Sequence, residues 1–131
     1  RASDLAINLC PASTNLWKER AQVYAQLSVS DPKLFIYALE ALEKNSLLAP
    51  TDAKTFYLLG RFYAAAGEEE IAIENYKKAL DLKANDDYSA LDLGKIYFDK
   101  KDYSNAKKYF EIVLKYAPTS DEAKEYLEKM K

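Results

Sequence analysis

The feature that most constrains this chain is an internal repeat with a period of 34 residues. Residues 56–86 and residues 90–120 align along their whole length at that one offset. Six aligned pairs are identical or similar in character: Leu59 with Leu93, Gly60 with Gly94, Tyr63 with Tyr97, Ala72 with Ala106, Tyr76 with Phe110 and Leu80 with Leu114. Repetition at a period of about 20–50 residues is typical of arrays in which one supersecondary unit stacks on the next. The chain is therefore predicted to be a stack of similar units.

Each unit has the pattern of two helices. The residues Phe56, Leu59, Gly60 and Tyr63 recur at the spacing of one face of a helix. Gly60 stands in the middle of that helix, where glycine costs about 0.5–1 kcal/mol relative to alanine. This cost is tolerable if a second helix approaches closely, and Ala72 supplies a matching small residue on that helix. The pattern thus predicts two helices in close contact.

With these residues in place, the pattern L-G-x2-Y followed by A-x3-F or A-x3-Y resembles the tetratricopeptide repeat (TPR). The units at 53–86 and 87–120 match it, with Phe56 and Ala90 at the position of the family's Trp, and Ala84 at that of its Pro. The resemblance implies an all-α fold, a right-handed α-α superhelix in which antiparallel helix pairs form a TPR solenoid. It also implies a C-terminal helix that caps the last core face.

The same spacing extends towards the N-terminus, with one irregularity. Pro50 ends a further unit and Pro11 an earlier one, but these two prolines lie 39 residues apart rather than 34. The five extra residues fall around residues 27–31, between the two helices of one unit. We expect the first helix to run about one extra turn past Tyr24 and a turn to follow it, after which Asp31 caps the next helix and Pro32 opens it. Tolerated turn length is favoured over a functional device at this insertion.

The chain is therefore predicted to be a single TPR domain over residues 1–131. Its parts are a remnant of a preceding repeat at 1–13, a repeat with the insertion at 14–52, repeats at 53–86 and 87–120, and a capping helix at 121–131. The expected helix pairs are 14–28 with 32–47, 53–65 with 68–82, and 87–99 with 103–116. Asp121 is expected to cap the last helix. Asn45 and Ser46 interrupt an expected apolar face, which either weakens that helix or marks a local hydrogen-bonded arrangement.

Composition excludes several classes of function. The chain has no histidine and one cysteine, Cys10, so Ser-His-Asp and Cys-His catalysis and zinc sites of His or Cys are not expected. The acidic run Glu68–Glu70 opens a helix, where carboxylates favour the macrodipole. Neither an enzymatic activity nor a cofactor or metal is predicted. A net charge of −2 argues against a nucleic-acid partner, and no apolar run reaches the roughly 20 residues that cross a membrane.

The family resemblance places the functional surface on the first helix of each pair. In TPR proteins these helices line a concave groove that binds a peptide or a partner's helix. Carried over position by position, the predicted groove residues are Lys18 and Gln22 in the first repeat, Lys54, Tyr57 and Arg61 in the second, and Tyr88, Leu91, Lys95 and Phe98 in the third. Because this set combines aromatic rings with cations, we expect a protein or peptide partner with apolar anchors and some acidic character.

One TPR subclass is disfavoured. Chaperone-binding TPRs clamp a C-terminal carboxylate with a set of Lys, Asn and Arg residues. Lys18 fits the first of those positions, but the others hold Gln22, Leu58, Tyr88 and Asp92. The negative charge of Asp92 would oppose a bound carboxylate, so a clamp of this kind is not expected.

Two alternatives to a peptide-binding module stay open. One is a self-associating scaffold or spacer, joined weakly through its N-terminal face. The other rests on the stretches 16–27 and 31–64, which are similar to TPR tails of bacterial O-antigen ligase or polymerase-like membrane proteins. That resemblance implies a soluble accessory tail of a bacterial glycan-assembly enzyme. Since the chain begins with Arg1, we expect a piece of a larger protein, whether cytoplasmic or extracytoplasmic.

Overall fold

The computed structural model describes residues 13–131, and within that range it contains seven α-helices, one short 3₁₀ helix and no strand. The helices are α1 (Thr14–Leu27), a 3₁₀ helix (Pro32–Leu34), α2 (Phe35–Leu48), α3 (Ala53–Ala65), α4 (Glu69–Leu82), α5 (Asp87–Asp99), α6 (Tyr103–Tyr116) and α7 (Asp121–Lys129). The predicted all-α fold class is confirmed. The predicted remnant of a preceding repeat lies outside the described residues, apart from residue 13.

The helices pack in consecutive pairs. α1 packs on α2, α3 on α4 and α5 on α6, and the pairs are joined through contacts of α2 with α3 and of α4 with α5. α7 covers α6 at the C-terminal end. Three clusters of buried residues follow one another along the stack. Each helix pair therefore contributes to a continuous core, as expected for stacked repeats.

Within each pair, a small residue on the first helix meets a large one on the second. A Cβ atom added at Gly60 would lie 2.8 Å from the ring of Tyr76, and one added at Gly94 would lie 2.6 Å from the ring of Phe110. Both rings are buried. Glycine is thus required at these two positions because the partner ring occupies the space of a side chain. In the first pair Ala21 takes this position, and the smaller Leu42 replaces the aromatic ring.

The insertion follows the predicted course with one difference. α1 ends at Leu27, and the Asp31 side chain accepts a hydrogen bond from the backbone N–H of Lys33. The residues from Pro32 to Leu34 form a 3₁₀ turn rather than the first turn of α2, closed by the bond from the Leu34 N–H to the Asp31 carbonyl at 3.0 Å. Such tight turns are frequent at the start of α-helices. α1 has 14 residues against 13 in α3 and in α5, so most of the extra residues lie in the connection to α2 with its capped turn.

The cap of the last helix was predicted one residue too late. Ser120, rather than Asp121, is the N-cap, and its hydroxyl accepts from the N–H of Ala123. Asp121 is the first residue of α7. The repeat itself explains this position, because Asp52 and Asp86 cap α3 and α5 at the same offset of 34 residues.

Asn45, the polar residue in the expected apolar face of α2, is part of a hydrogen-bond network. Asn45 Nδ2 donates to Thr55 Oγ1 at 2.7 Å, and Thr55 Oγ1 donates to Asp52 Oδ2 at 2.9 Å. Asn45 and Thr55 are fully buried. Lys18 Nζ completes the network by donating to the same Asp52 oxygen at 2.7 Å. The network joins α1, α2 and α3. The expectation that Asn45 marks a local hydrogen-bonded arrangement is therefore confirmed.

None of the helices between residues 13 and 131 combines the length and the apolar character needed to cross a membrane.

Replacing Gly60 by alanine is expected to destabilise the fold by about 1–2 kcal/mol, because the new methyl group overlaps the Tyr76 ring. Helix propensity alone predicts the opposite sign, a gain of about 0.5–1 kcal/mol. Urea unfolding of Gly60→Ala measures the net effect. The pair Glu74→Gly and Glu74→Ala, at an exposed site on α4, gives the propensity difference alone. A more stable Gly60→Ala protein would contradict the close contact.

Replacing Thr55 by valine is expected to destabilise the fold by about 1–3 kcal/mol, because the amide of Asn45 loses its acceptor in a buried site. Thr55→Ser keeps the hydroxyl and is expected to have a much smaller effect. The next repeat supports this expectation, since its Ser89 occupies the equivalent position and donates to Asp86 at 2.6 Å. Equal losses for the two variants, measured by thermal unfolding, would show that the network contributes little.

Candidate partner-binding groove

Two depressions lie side by side on the surface of the first helices. The first, of about 520 Å³, separates α1 from α3 and includes Lys18, Gln22 and Leu58 in its lining. The second, of about 240 Å³, separates α3 from α5 and includes Asp92 and Lys95. Arg61 lines both depressions. We call this double depression the groove.

Two of the four predicted groove cations are paired within the protein. Lys18 Nζ lies 2.7 Å from Asp52 Oδ2, and Lys95 Nζ forms an ion pair with the carboxylate of Glu122, which α7 contributes. The Lys18 partner comes from the cap of α3 and is held in turn by Thr55. The expected preference for acidic partners therefore depends on fewer charges than the sequence suggested. The sequence did not predict Glu122 as the partner of Lys95.

Arg61 is the cation of the groove that keeps an exposed head group. It forms no ion pair with any of residues 13–131, and its guanidinium lies 5.9 Å from the centre of the Tyr57 ring. That ring also lies within 6.0 Å of the ring of Tyr76 and 6.1 Å of the ring of Tyr88. Burial raises the pKa of Tyr57, with the negative charge of Asp92 as a further cause. The phenol therefore stays neutral and can act as a hydrogen-bond donor.

Asp92 is the acidic group of the groove. The hydroxyl of Tyr76 donates a hydrogen bond to Asp92 Oδ2 at 3.1 Å. Burial raises the pKa of Asp92 above its usual value, although the Tyr76 hydrogen bond and the charges of Lys95 and Arg61 act in the opposite direction. Sequence reasoning treated Asp92 only as an obstacle to a carboxylate clamp. A carboxylate with a raised pKa in a depression is typical of functional sites.

A third depression, of about 660 Å³, lies at the edge of the groove, where α3 and α5 begin and α4 ends. Its lining gathers three of the predicted residues: Lys54, Tyr57 and Tyr88. Leu82 and Lys83 of the second helix of the pair also line it and were not predicted. Of the nine residues predicted from the resemblance, four thus line the groove and three line the depression at its edge.

Leu91 and Phe98 line none of these three depressions. Both pack against the C-terminal core cluster. The Phe98 ring lies 5.5 Å from the ring of Tyr103 and meets that of Tyr126 edge-on at 5.0 Å. α7 brings Tyr126 to this position because it covers the last core face. The capping helix thus occupies the surface beside Phe98.

The helix pairs and the groove on their first helices define the class of this molecule, a helical-repeat protein with an open surface along its first helices. The chain belongs to the tetratricopeptide repeat family, because the model of that repeat matches residues 53–86 and 89–120. The predicted TPR resemblance is confirmed. No match was found among curated proteins.

Solved structures share the fold over nearly the whole chain. A crystal structure of MamA is 21% identical and superposes with a TM-score of 0.81, covering 98% of this chain and 82% of that one. A thermophilic TPR protein of Thermus thermophilus, TTC0263, is 19% identical, with a TM-score of 0.81 and coverages of 98% and 69%. The first TPR of Spaghetti (RPAP3), bound to the HSP90 peptide SRMEEVD, is 20% identical, with a TM-score of 0.79 and coverages of 89% and 89%.

These likenesses establish the fold alone. They do not support the weaker resemblance to tails of O-antigen ligase-like proteins, which stays a prediction. Between residues 13 and 131 no cluster of three or more Cys, Asp or Glu side chains could hold a metal ion.

Replacing Asp92 by asparagine is expected to stabilise the protein at pH 7. In the unfolded chain Asp92 titrates near 3.8, so above that value the folded state binds more protons and its stability falls as the pH rises. Asparagine cannot ionise, and its amide oxygen still accepts from Tyr76. Urea unfolding at a series of pH values is expected to show that the Asp92→Asn protein is more stable than the unchanged chain at pH 7. The decrease in stability with rising pH that Asp92 causes is expected to be absent from the variant. Asp99→Asn, exposed on the same helix, is the control. A less stable Asp92→Asn protein at pH 7 would contradict the account.

Proposed function

We propose that this chain is a non-catalytic protein–protein interaction module that binds a peptide or a partner's helix in the groove. The observation that carries the proposal is the exposed guanidinium of Arg61, which lines both depressions of the groove and has no ionic partner within residues 13–131. Arginine beside an aromatic ring is favoured at protein-binding surfaces, because it donates several hydrogen bonds and stacks on its neighbours. An acidic side chain of a partner would neutralise it.

The wider family supports a protein partner. TPR proteins are generally interaction modules, and the RPAP3 repeat with this fold is bound to a peptide. At 20% identity that neighbour supports the type of ligand and not its sequence. The groove of this chain differs in charge from a carboxylate clamp, because Lys18 is engaged by Asp52 and Asp92 lies beside Arg61.

The partner's chemistry follows from the lining of the groove. Leu58 and Ile96 provide apolar surface in the two depressions, and Arg61 lies between them. We therefore propose a segment with two apolar anchors and one acidic residue between them. The pairing of Lys95 with Glu122 leaves little excess positive charge for a second acidic residue. A strongly acidic segment is a poorer fit, since it would approach Asp92.

A selection from a library of random peptides tests this proposal. Peptides selected on the unchanged chain are expected to contain apolar residues around an acidic one, and to bind Arg61→Glu at least about ten-fold more weakly, since the charge facing their acidic residue is reversed. Glu74→Arg, a charge reversal at an exposed site on α4 outside the groove, is the matched control and should leave their affinity unchanged. If selected peptides bind the Arg61→Glu protein as well as the unchanged chain, or if none is enriched, the groove is not the binding site.

A further inference from the structure

The outer face of α2 carries exposed apolar side chains that the repeat does not require. Ile36 is 52% exposed and Leu47 is 77% exposed. The equivalent positions are polar in the other two second helices: Glu70 and Asp81 in α4, and Ser104 and Lys115 in α6. α2 therefore departs from the two other second helices at two positions of one helix face. Packing within the fold does not explain this departure, since both side chains remain largely in water.

The two side chains belong to one depression. Ile36 and Leu47 are eleven residues apart, which is three helical turns, so they lie on one line along α2 with about 16 Å between them. A depression of about 540 Å³ is lined by this face. We call it the outer patch and define it by its lining residues Ile36, Leu39, Glu40, Glu43, Lys44, Leu47 and Tyr63. It shares no lining residue with the groove.

The outer patch has acidic groups between its apolar ends. The hydroxyl of Tyr63, on α3, donates a hydrogen bond to Glu43 Oε1 at 2.6 Å and so fixes the position of this carboxylate. Glu40 makes no ion pair with another of the described residues. Lys44 is the one cation among the residues that line the depression. The patch therefore offers two carboxylates, one cation and two apolar ends.

The charges of the outer patch bear on whether a second copy of the chain or another protein binds there. A second copy of the chain would pair two α2 helices about a two-fold axis, with Ile36 against Leu47 of the other copy. Because this arrangement is symmetric about residues 41 and 42, Glu40 would face Glu43 of the other copy, twice. Like charges set opposite one another weaken an interface. Lys44 would face Leu39 of the other copy rather than a carboxylate, so the two-fold pairing leaves the like charges opposite one another.

We propose that the outer patch docks an amphipathic helix of another protein, with two apolar anchors about three turns apart and a Lys or Arg between them. The apolar anchors contact Ile36 and Leu47, and the intervening cation meets Glu40 and Glu43. A partner helix with apolar residues eleven positions apart spans the same distance of about 16 Å. This site is separate from the groove, and a partner can occupy it while the groove is filled.

Two synthetic helical peptides of about 18 residues, identical in their leucine positions, provide the probes. One carries lysine between the leucines and the other carries glutamate. Fluorescence anisotropy with the full chain is expected to show binding of the Leu–Lys peptide and at least about ten-fold weaker binding of the Leu–Glu peptide.

The double variant Ile36→Glu with Leu47→Asp gives α2 the residues that α4 already carries, so it is compatible with the helix. It is expected to weaken binding of the Leu–Lys peptide by at least about ten-fold. Val29→Asp is the matched control, because Val29 is 87% exposed but does not line the patch. That variant, and Arg61→Glu in the groove, should leave the affinity unchanged. Circular dichroism of each variant verifies that the helices are intact.

Three results would overturn the proposal. Equal binding of the two peptides would show that charge does not select the occupant. Equal binding of the Leu–Lys peptide to the double variant and to the unchanged chain would place its site elsewhere. Sedimentation of the chain alone gives the third: a dimer that the double variant abolishes would make a second copy the occupant.

Discussion

The close approach of Gly60 to Tyr76, and of Gly94 to Phe110, is the contact on which the rest of this structure depends. Each aromatic ring lies where a side chain on the first helix would otherwise be, so the two helices of a pair pack at a short distance. The first pair reaches the same kind of packing with different residues, Ala21 and Leu42. With each pair fixed in this way, the first helices stand side by side, and the groove is the surface that they leave open.

Most of the fold could be predicted from the sequence, because its determinants are local and repeat at one period. The bounds of α3, α5 and α6 agree with the spacing of apolar residues and caps. The differences arise where local signals compete. At α2 an Asp-Pro start favoured a 3₁₀ turn before the helix, and at α7 two neighbouring polar residues could each have been the cap.

The groove could be predicted only in part, because its electrostatics depend on residues far apart in the chain. A repeat position tells which helix face a lysine occupies, but not which carboxylate lies opposite. Lys18 meets the cap of α3, and Lys95 meets a residue of the capping helix. Phe98 was predicted to face a partner and is covered by that same helix. The network through Asn45 shows the same limit. The polar side chain of Asn45 indicated that it has a hydrogen-bond partner, but the sequence did not identify Thr55 as that partner.

The central claim is that the groove contacts another protein while the solvated outer face of α4 does not. Photo-crosslinking in the cells that produce the protein tests it most directly. A benzophenone side chain placed at the exposed Gln22 lies in the lining of the groove, and one placed at Glu74 lies on α4 outside it. The predicted result is a discrete crosslinked protein from position 22, lost when Arg61 is also replaced by glutamate, and none from position 74. Crosslinks of equal yield from both positions, or a crosslink at 22 unaffected by Arg61→Glu, would contradict the claim.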